Sequence, residues 1–113
     1  MNLVHIIPKL GPGGPTRSLA TFVEWSTRNI PRVSHLILTP ELRAYPLLSL
    51  RLRRCGAIIH HNPSEAQIDE TLMRAEVVLI HFWNTPILWS LIARPIPPAR
   101  YRHDQVRRKF CVF

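Results

Sequence analysis

Short apolar runs and longer amphipathic segments take turns along the chain. Four runs of five or six residues are rich enough in apolar side chains to form buried strands, at residues 3–7, 34–39, 57–61 and 77–82. Three segments between them repeat apolar residues at helical spacing, at residues 15–29, 41–55 and 64–74. Strands that alternate with helices are typical of a parallel sheet with helices on its faces. We therefore predict an α/β fold, a Rossmann-like parallel sheet of about four strands.

Residues that start or stop helices lie at the ends of these segments. Pro15 suits a first helical position, and Ser64 can cap the third helix. Gly56 is placed to stop the second helix, while Pro46 removes one of its hydrogen bonds or restricts it to a later start. A further helix is predicted to begin at Asn84.

The spacing of apolar residues also predicts the buried faces of the first two helices. The face of the first helix is expected to hold Leu19, Phe22, Val23, Trp25 and Ser26. The second helix is expected to turn its arginines (Arg51, Arg53 and Arg54) to water, and its apolar residues are Leu42, Leu47, Leu48, Leu50 and Leu52.

The pattern stops after residue 98, and the charge changes at the same place. The net charge is +8, and residues 99–113 carry half of it, with five Lys or Arg and one Asp. Such a segment attracts nucleic acid or anionic lipid by electrostatics alone, but no periodicity indicates a specific nucleic-acid partner. We therefore expect one partial domain over residues 1–99 and a basic irregular tail over residues 100–113.

A glycine-rich stretch joins the first predicted strand to the first predicted helix. It reads GPGGPTRS over residues 11–18. Backbone N–H groups at a helix N-terminus bind anions, so Gly13 and Gly14 with the nearby cation Arg17 are candidate substrate-binding residues. The alternative is a tight turn that needs glycine only for a positive φ. Thr16 replaces the third glycine of the dinucleotide fingerprint, and the Walker pattern is absent, so no cofactor is predicted.

A second cluster of polar and aromatic residues follows the fourth predicted strand. His81 and Asn84 offer hydrogen bonds beside Phe82 and Trp83, and they would face the glycine stretch if the fourth strand lies next to the first. His81 is either a binding residue or a satisfied core histidine, and Asn84 is either a binding residue or a helix cap. His5, His60 and His61 have core or surface roles, and we predict no metal site.

The residues of these two clusters resemble a known enzyme family. Residues 3–8 (LVHIIP) with residues 10–19 (LGPGGPTRSL) are similar to the start of family 4 glycosyltransferases of the GT-B fold, and residues 77–86 (VVLIHFWNTP) are similar to their fourth-strand region. The resemblance covers about residues 1–100. It implies a retaining enzyme that moves a sugar from a nucleotide-sugar donor to a sugar or lipid-linked acceptor.

The same resemblance implies a division of labour. The N-terminal Rossmann-like domain of this family holds the acceptor, and a C-terminal domain binds the nucleotide. Gly13 and Gly14 would then line the cleft near the diphosphate or acceptor, Arg17 would contact an anion, and Asn84 would line the cleft.

The chain departs from the family pattern after residue 100. The family's loop histidine and the E-x7-E motif of its donor domain are not found here. The abrupt change predicts a frameshift, a premature stop or a mis-called gene end, so no catalytic residue is assigned. We expect a glycosyltransferase fragment that is inactive alone. The alternative is a non-catalytic module that binds a phosphate or sugar ligand, or a subunit that pairs with a separate donor domain.

The sequence also carries expectations about location and association. It lacks an apolar run long enough to span a bilayer and a signal-peptide pattern, so a cytoplasmic location is expected, or a peripheral one at the inner membrane face. With no strand expected beyond it, the 77–82 run would lie at a sheet edge, where a long apolar strand promotes association.

We expect no sugar transfer by the 113-residue chain alone, because the resemblance assigns the nucleotide to another domain. Incubation with labelled nucleotide sugars and candidate acceptors, followed by chromatography of the products, checks this. Transfer above the rate without protein would contradict it.

Overall fold

A computed structural model describes residues 1–81 with their side chains and the backbone of residues 109–112. It contains three helices and five strands in the described part of the chain. In chain order these are β1 (Asn2–Ile6), α1 (Gly14–Asn29), β2 (Ser34–Thr39), α2 (Pro46–Arg54), β3 (Ile58–His61), α3 (Glu65–Arg74), β4 (Val77–Ile80) and β5 (Lys109–Val112).

All described strands form one parallel sheet in the order β3-β2-β1-β4-β5. This is the Rossmann-like α/β arrangement that the sequence predicts, and β4 does lie beside β1. The chain winds outward from β1 to β3 and then returns to the other side of β1. The strand order therefore reverses between β1 and β4, and open α/β sheets bind ligands at such a point, outside the carboxyl ends of the strands.

Strand β5 lies within the segment expected to be irregular. Lys109 pairs with Val77 and Val112 pairs with Ile80, in parallel. β4 is therefore an internal strand between β1 and β5, and the expectation of an exposed apolar edge at β4 is wrong. Four residues beside a basic run are too few to show a period, and the pairing itself stabilises them. The expected helix at Asn84 and the expected domain boundary lie outside the described residues.

Each face of the sheet carries its own hydrophobic core. The core beneath α1 and α2 consists of Ile7, Leu10, Leu19, Ala20, Val23, Ile37, Leu48, Leu52 and Ala57. The core beneath α3 consists of Val4, Ile6, Leu38, Ile68, Leu72, Ala75, Val78 and Ile80. Alternation along the strands explains the division, because neighbouring residues of a strand point to opposite faces.

The helix ends match their sequence signals. Gly56 has a φ of +80°; its N–H donates to Arg53 at 2.9 Å, and the N–H of Ala57 donates to Leu52 at 3.1 Å, which is a Schellman motif. Ser64 and Gln67 form a reciprocal capping box at the start of α3. α2 begins only at Pro46, the later start that this proline allows.

The predicted helix faces are partly wrong. α1 buries Leu19, Val23 and Ser26 of its predicted face, but Phe22 is 40% exposed and Trp25 is 50% exposed. Leu42, Leu47 and Leu50 are exposed as well, and α2 buries only Leu48 and Leu52. The sheet covers one side of each helix, and no described residue covers the opposite side. Each helix therefore buries fewer residues than its apolar composition suggests.

We expect Gly56→Ala to lower the free energy of unfolding by about 1–2 kcal/mol, because an L side chain is strained at this positive φ. Gly11→Ala is the matched control and should leave the stability unchanged, since Gly11 does not have a positive φ and a Cβ there would meet no atom within 4 Å. Urea denaturation measures both variants. Equal stability of the Gly56→Ala variant and the unmodified chain would contradict the positive φ at Gly56.

Candidate functional site

The glycine stretch lies where the fold places ligands. β1 ends at Ile6, and α1 begins at Gly14, so the connection leaves the carboxyl-terminal edge of the sheet beside the β1–β4 reversal. Gly13, Gly14 and Arg17 are all exposed there. A hydrogen bond ties the first turn of α1 to the connection before it, because the buried Thr16 hydroxyl donates to the Lys9 carbonyl at 3.4 Å.

The glycines of this stretch are not there for a positive φ. Gly13 has a φ of −76° and a ψ of 173°, an extended conformation open to any residue, and among the four glycines only Gly56 has a positive φ. A Cβ on Gly11 or Gly14 would meet no atom within 4 Å. One local reason favours glycine at position 14, because it precedes a proline and a residue with a Cβ there adopts the helical conformation less readily. Gly13 has none.

Gly13 is the N-cap of α1, a position where Ser, Thr, Asp and Asn side chains accept hydrogen bonds from the first turn. α1 has no such side-chain cap and no acidic residue in its first turn. Pro15 lacks an N–H, so the donors of this end belong to Gly14 and Thr16. With the Arg17 side chain nearby, the N-terminal end of α1 is electropositive and open from outside.

His81 follows β4 at the same edge of the sheet. Its backbone N–H donates to the Ile6 carbonyl at 2.9 Å, which extends the β1–β4 pairing by one residue. The side chain is half-buried, and its Nε2 lies 3.3 Å from His5 Nδ1. Asn84, the other candidate from this cluster, lies outside the described residues.

The contact between His81 and His5 is one link of a longer line of hydrogen bonds. His5 Nε2 lies 3.0 Å from His35 Nδ1, and His35 Nε2 lies 2.8 Å from the Ser26 hydroxyl of α1. We call these four residues, Ser26, His35, His5 and His81, the histidine line. His5, His35 and Ser26 are buried, and only His81 approaches the surface.

The rings of the histidine line lie edge to edge. His5 and His35 have centroids 5.3 Å apart and planes 19° apart, and His5 and His81 have centroids 5.5 Å apart and planes 28° apart. The nitrogens that touch therefore lie between the rings, as an imidazole–imidazole hydrogen bond requires. The plane of the Phe22 ring lies at 71° to that of His5 and at 88° to that of His35.

The environment holds these histidines neutral. Burial, together with repulsion from proton charge on His81 and His35, lowers the pKa of His5 to about 2. Burial also lowers the pKa values of His35 and His81. At neutral pH each ring then has one N–H and one bare nitrogen, so each can both donate and accept.

The three imidazoles do not form a metal site. The two nitrogens of His5 point to different neighbours, so the rings extend in a line and their lone pairs do not converge on one point. No group of His, Cys, Asp and Glu in residues 1–81 is arranged to hold a metal ion.

The sequence did not reveal the histidine line. The sequence predicts His35 only as part of a strand and His5 only as a core or surface residue. Alternation places each histidine on one face of its strand, but contact across strands also depends on register. That register pairs Leu3 with His35 and His5 with Leu79, which sequence patterns do not report.

No protein-family model, curated protein or solved structure matches this chain. None of the helices in the described residues combines the length and apolar character that crossing a bilayer requires.

We expect the free energy of unfolding to fall as the pH is lowered from 7 to 5. The unfolded chain takes up protons near pH 6.5, while the folded chain keeps His5 neutral until about pH 2, so acid favours unfolding. The contribution of His5 approaches about 1.4 kcal/mol per pH unit below pH 6.5. Chemical denaturation at a series of pH values measures this slope.

The matched pair for that measurement is His5→Gln and His60→Gln. Loss of His5 should reduce the slope, whereas loss of the half-exposed His60 on β3 should leave it in place. A slope that His5→Gln leaves unchanged would contradict the buried neutral state.

Proposed function

We propose that this chain is the acceptor-side Rossmann-like domain of a glycosyltransferase, and that it binds a phosphate-bearing sugar at the N-terminal end of α1. The transfer of a sugar from a nucleotide-sugar donor, the separate donor domain and the inactivity of this chain alone come from the sequence resemblance. A cytoplasmic setting, with a lipid-linked acceptor presented at the inner membrane face, belongs to the same proposal.

The observation that carries the proposal is the absence of a cap at Gly13. A Ser or Asp at this position would satisfy the first turn of α1, and nothing in the backbone or the packing excludes one. α3 shows the difference, because Ser64 caps its first turn and Glu65 adds a favourable negative charge. An open, electropositive helix end beside the strand-order reversal suits a ligand that brings its own oxyanion.

Arg17 supports the same ligand class. A cation in the first turn of a helix opposes the helix dipole, and α1 places no carboxylate there to offset it. A bound phosphate would remove that repulsion. The arginine would then contribute a charge-assisted hydrogen bond from an exposed and adjustable side chain.

Gly13→Asp tests the proposal by separating stability from binding. The new carboxylate caps α1, so the free energy of unfolding should stay level or rise by a few tenths of a kcal/mol. It also places negative charge on the phosphate position, so the affinity for glucose 1-phosphate should fall at least tenfold. Isothermal titration calorimetry with glucose 1-phosphate, and with inorganic phosphate, measures the affinity.

Ser64→Asp is the matched control, because it puts the same charge at the N-cap of α3. It should leave the affinity unchanged. No binding to the unmodified chain, or an equal loss in both variants, would contradict a phosphate site at α1.

A further inference from the structure

The outer side of α2 presents apolar side chains to solvent. α2 buries only Leu48 and Leu52 against the sheet, while Leu47 is 63% exposed and Leu50 is 47% exposed. Tyr45, the N-cap residue of α2, is exposed as well. Single exposed leucines are ordinary, but two on one short helix beside an exposed tyrosine form a continuous apolar surface, which is unfavourable in water.

Arginines lie beside this apolar surface. Arg51, Arg53 and Arg54 are in the last turn of α2, and the helix contains no acidic residue. Arg54 follows Leu50 by four residues, so the two side chains share one face of the helix. Arg51 pairs with Glu24 of α1, whereas no carboxylate in the described part of the chain forms an ion pair with Arg53 or Arg54. Exposed leucines are therefore combined with positive charge that no described acidic side chain neutralises.

α1 adds an aromatic ring to the same side of the molecule. The ion pair between Glu24 and Arg51 holds the two helices side by side. Trp25 directly follows Glu24 and is half-exposed. Because the sheet lies beneath both helices, their outer sides form one surface. We call this the α1–α2 surface, and it consists of Trp25, Tyr45, Leu47, Leu50, Arg53 and Arg54.

We propose that the α1–α2 surface docks the protein on a lipid bilayer that contains anionic lipid. The leucines and the two aromatic rings enter the boundary between headgroups and acyl chains, and Arg53 and Arg54 contact lipid phosphates. The docking is independent of the proposed function. Only the placement of a lipid-linked acceptor rests on that function.

The charge and composition of the surface favour a bilayer over other occupants. The dipole of α2 accounts for arginines in its last turn, but it does not account for exposed leucines beside them. Nucleic acid would bind the arginines and leave Leu47 and Leu50 in water. A second copy of this chain would bring the arginines of both copies together in a symmetric contact. Anionic lipid offers phosphates to the guanidinium groups and an apolar layer directly below them.

The α1–α2 surface lies next to the candidate phosphate site. The backbone N–H of Tyr45 donates to the Leu10 carbonyl at 2.7 Å, and Leu10 directly precedes the glycine stretch. Both helices also begin at the carboxyl-terminal edge of the sheet. Docking therefore brings the N-terminal end of α1 close to the headgroups, where the phosphate of a lipid-linked sugar lies.

Flotation of the full chain with lipid vesicles tests the docking. The unmodified chain should bind vesicles of phosphatidylcholine that contain phosphatidylglycerol, and added salt should weaken the binding. Leu47→Gln with Leu50→Gln should lower the partition coefficient at least tenfold, because the apolar contact is lost. Arg53→Gln with Arg54→Gln should also lower it at least tenfold, since each arginine contributes about fivefold.

Matched variants make the same kinds of change elsewhere on the molecule. Ile58→Thr removes an exposed apolar side chain from the face of the sheet that α3 covers. Arg32→Gln with Arg74→Gln removes two exposed arginines outside the α1–α2 surface. Both should keep the partition coefficient within about twofold of the unmodified value. Urea denaturation checks that every variant is folded.

Two results with vesicles would overturn the docking. One is no binding of the unmodified chain to vesicles that contain phosphatidylglycerol, and the other is an equal loss in the matched variants. Sedimentation equilibrium without vesicles examines the other occupant. A dimer that dissociates in the Leu47→Gln, Leu50→Gln variant would assign the surface to a second copy of the chain and overturn the bilayer as its partner.

Isothermal titration calorimetry with glucose 1-phosphate separates this proposal from the proposed function. The Leu47→Gln, Leu50→Gln variant should keep the affinity of the unmodified chain, because neither leucine lies at the N-terminal end of α1. Vesicle binding without glucose 1-phosphate binding would contradict the proposed function and leave the docking intact. Glucose 1-phosphate binding without vesicle binding would overturn the docking alone.

Discussion

The pairing of β1 with a parallel strand on each side is the constraint on which the candidate site depends. It makes β1 the central strand, with four of its five residues buried. His5 therefore lies in the interior beneath α1, where a polar ring needs a partner for each nitrogen. The two flanking strands supply them, His35 from β2 and His81 at the end of β4.

The same strands also fix the position of the carboxyl-terminal edge of the sheet, where the candidate site lies. The connection to α1 and the residue after β4 leave neighbouring strands on the same side of the sheet, so the first turn of α1 and His81 are set by backbone pairing. The first turn of α1 offers hydrogen bonds without a formal charge, from its backbone N–H groups. Arg17 adds a positive charge beside them, and the combination suits a ligand with an oxyanion.

Much of the fold follows from patterns that the sequence states locally. The apolar runs, Gly56 and Ser64 each act within a few residues, and the structure confirms the strands and the helix ends that they predict in the described residues. α1 begins at Gly14, one residue before the predicted start at Pro15. The buried faces of the helices are harder to predict, because the exposure of Phe22 and Trp25 depends on how α1 packs on the sheet.

The candidate site also has one part that local sequence patterns predict and one part that they do not. The glycine stretch was visible because its residues are contiguous, although its open N-cap at Gly13 needed the backbone conformation. The histidine line was not visible, because its members are separated by 30 and 76 residues and meet only through strand order and register. β5 was missed since its stability comes from pairing with β4.

The hydrogen bonds between the three rings are the central claim, and the scalar coupling between nitrogens across a hydrogen bond tests them most directly. In the chain labelled with nitrogen-15 on its histidine rings, we predict two such couplings, one from His5 Nδ1 to His81 Nε2 and one from His5 Nε2 to His35 Nδ1. Slowly exchanging ring hydrogens that show neither coupling would contradict the account.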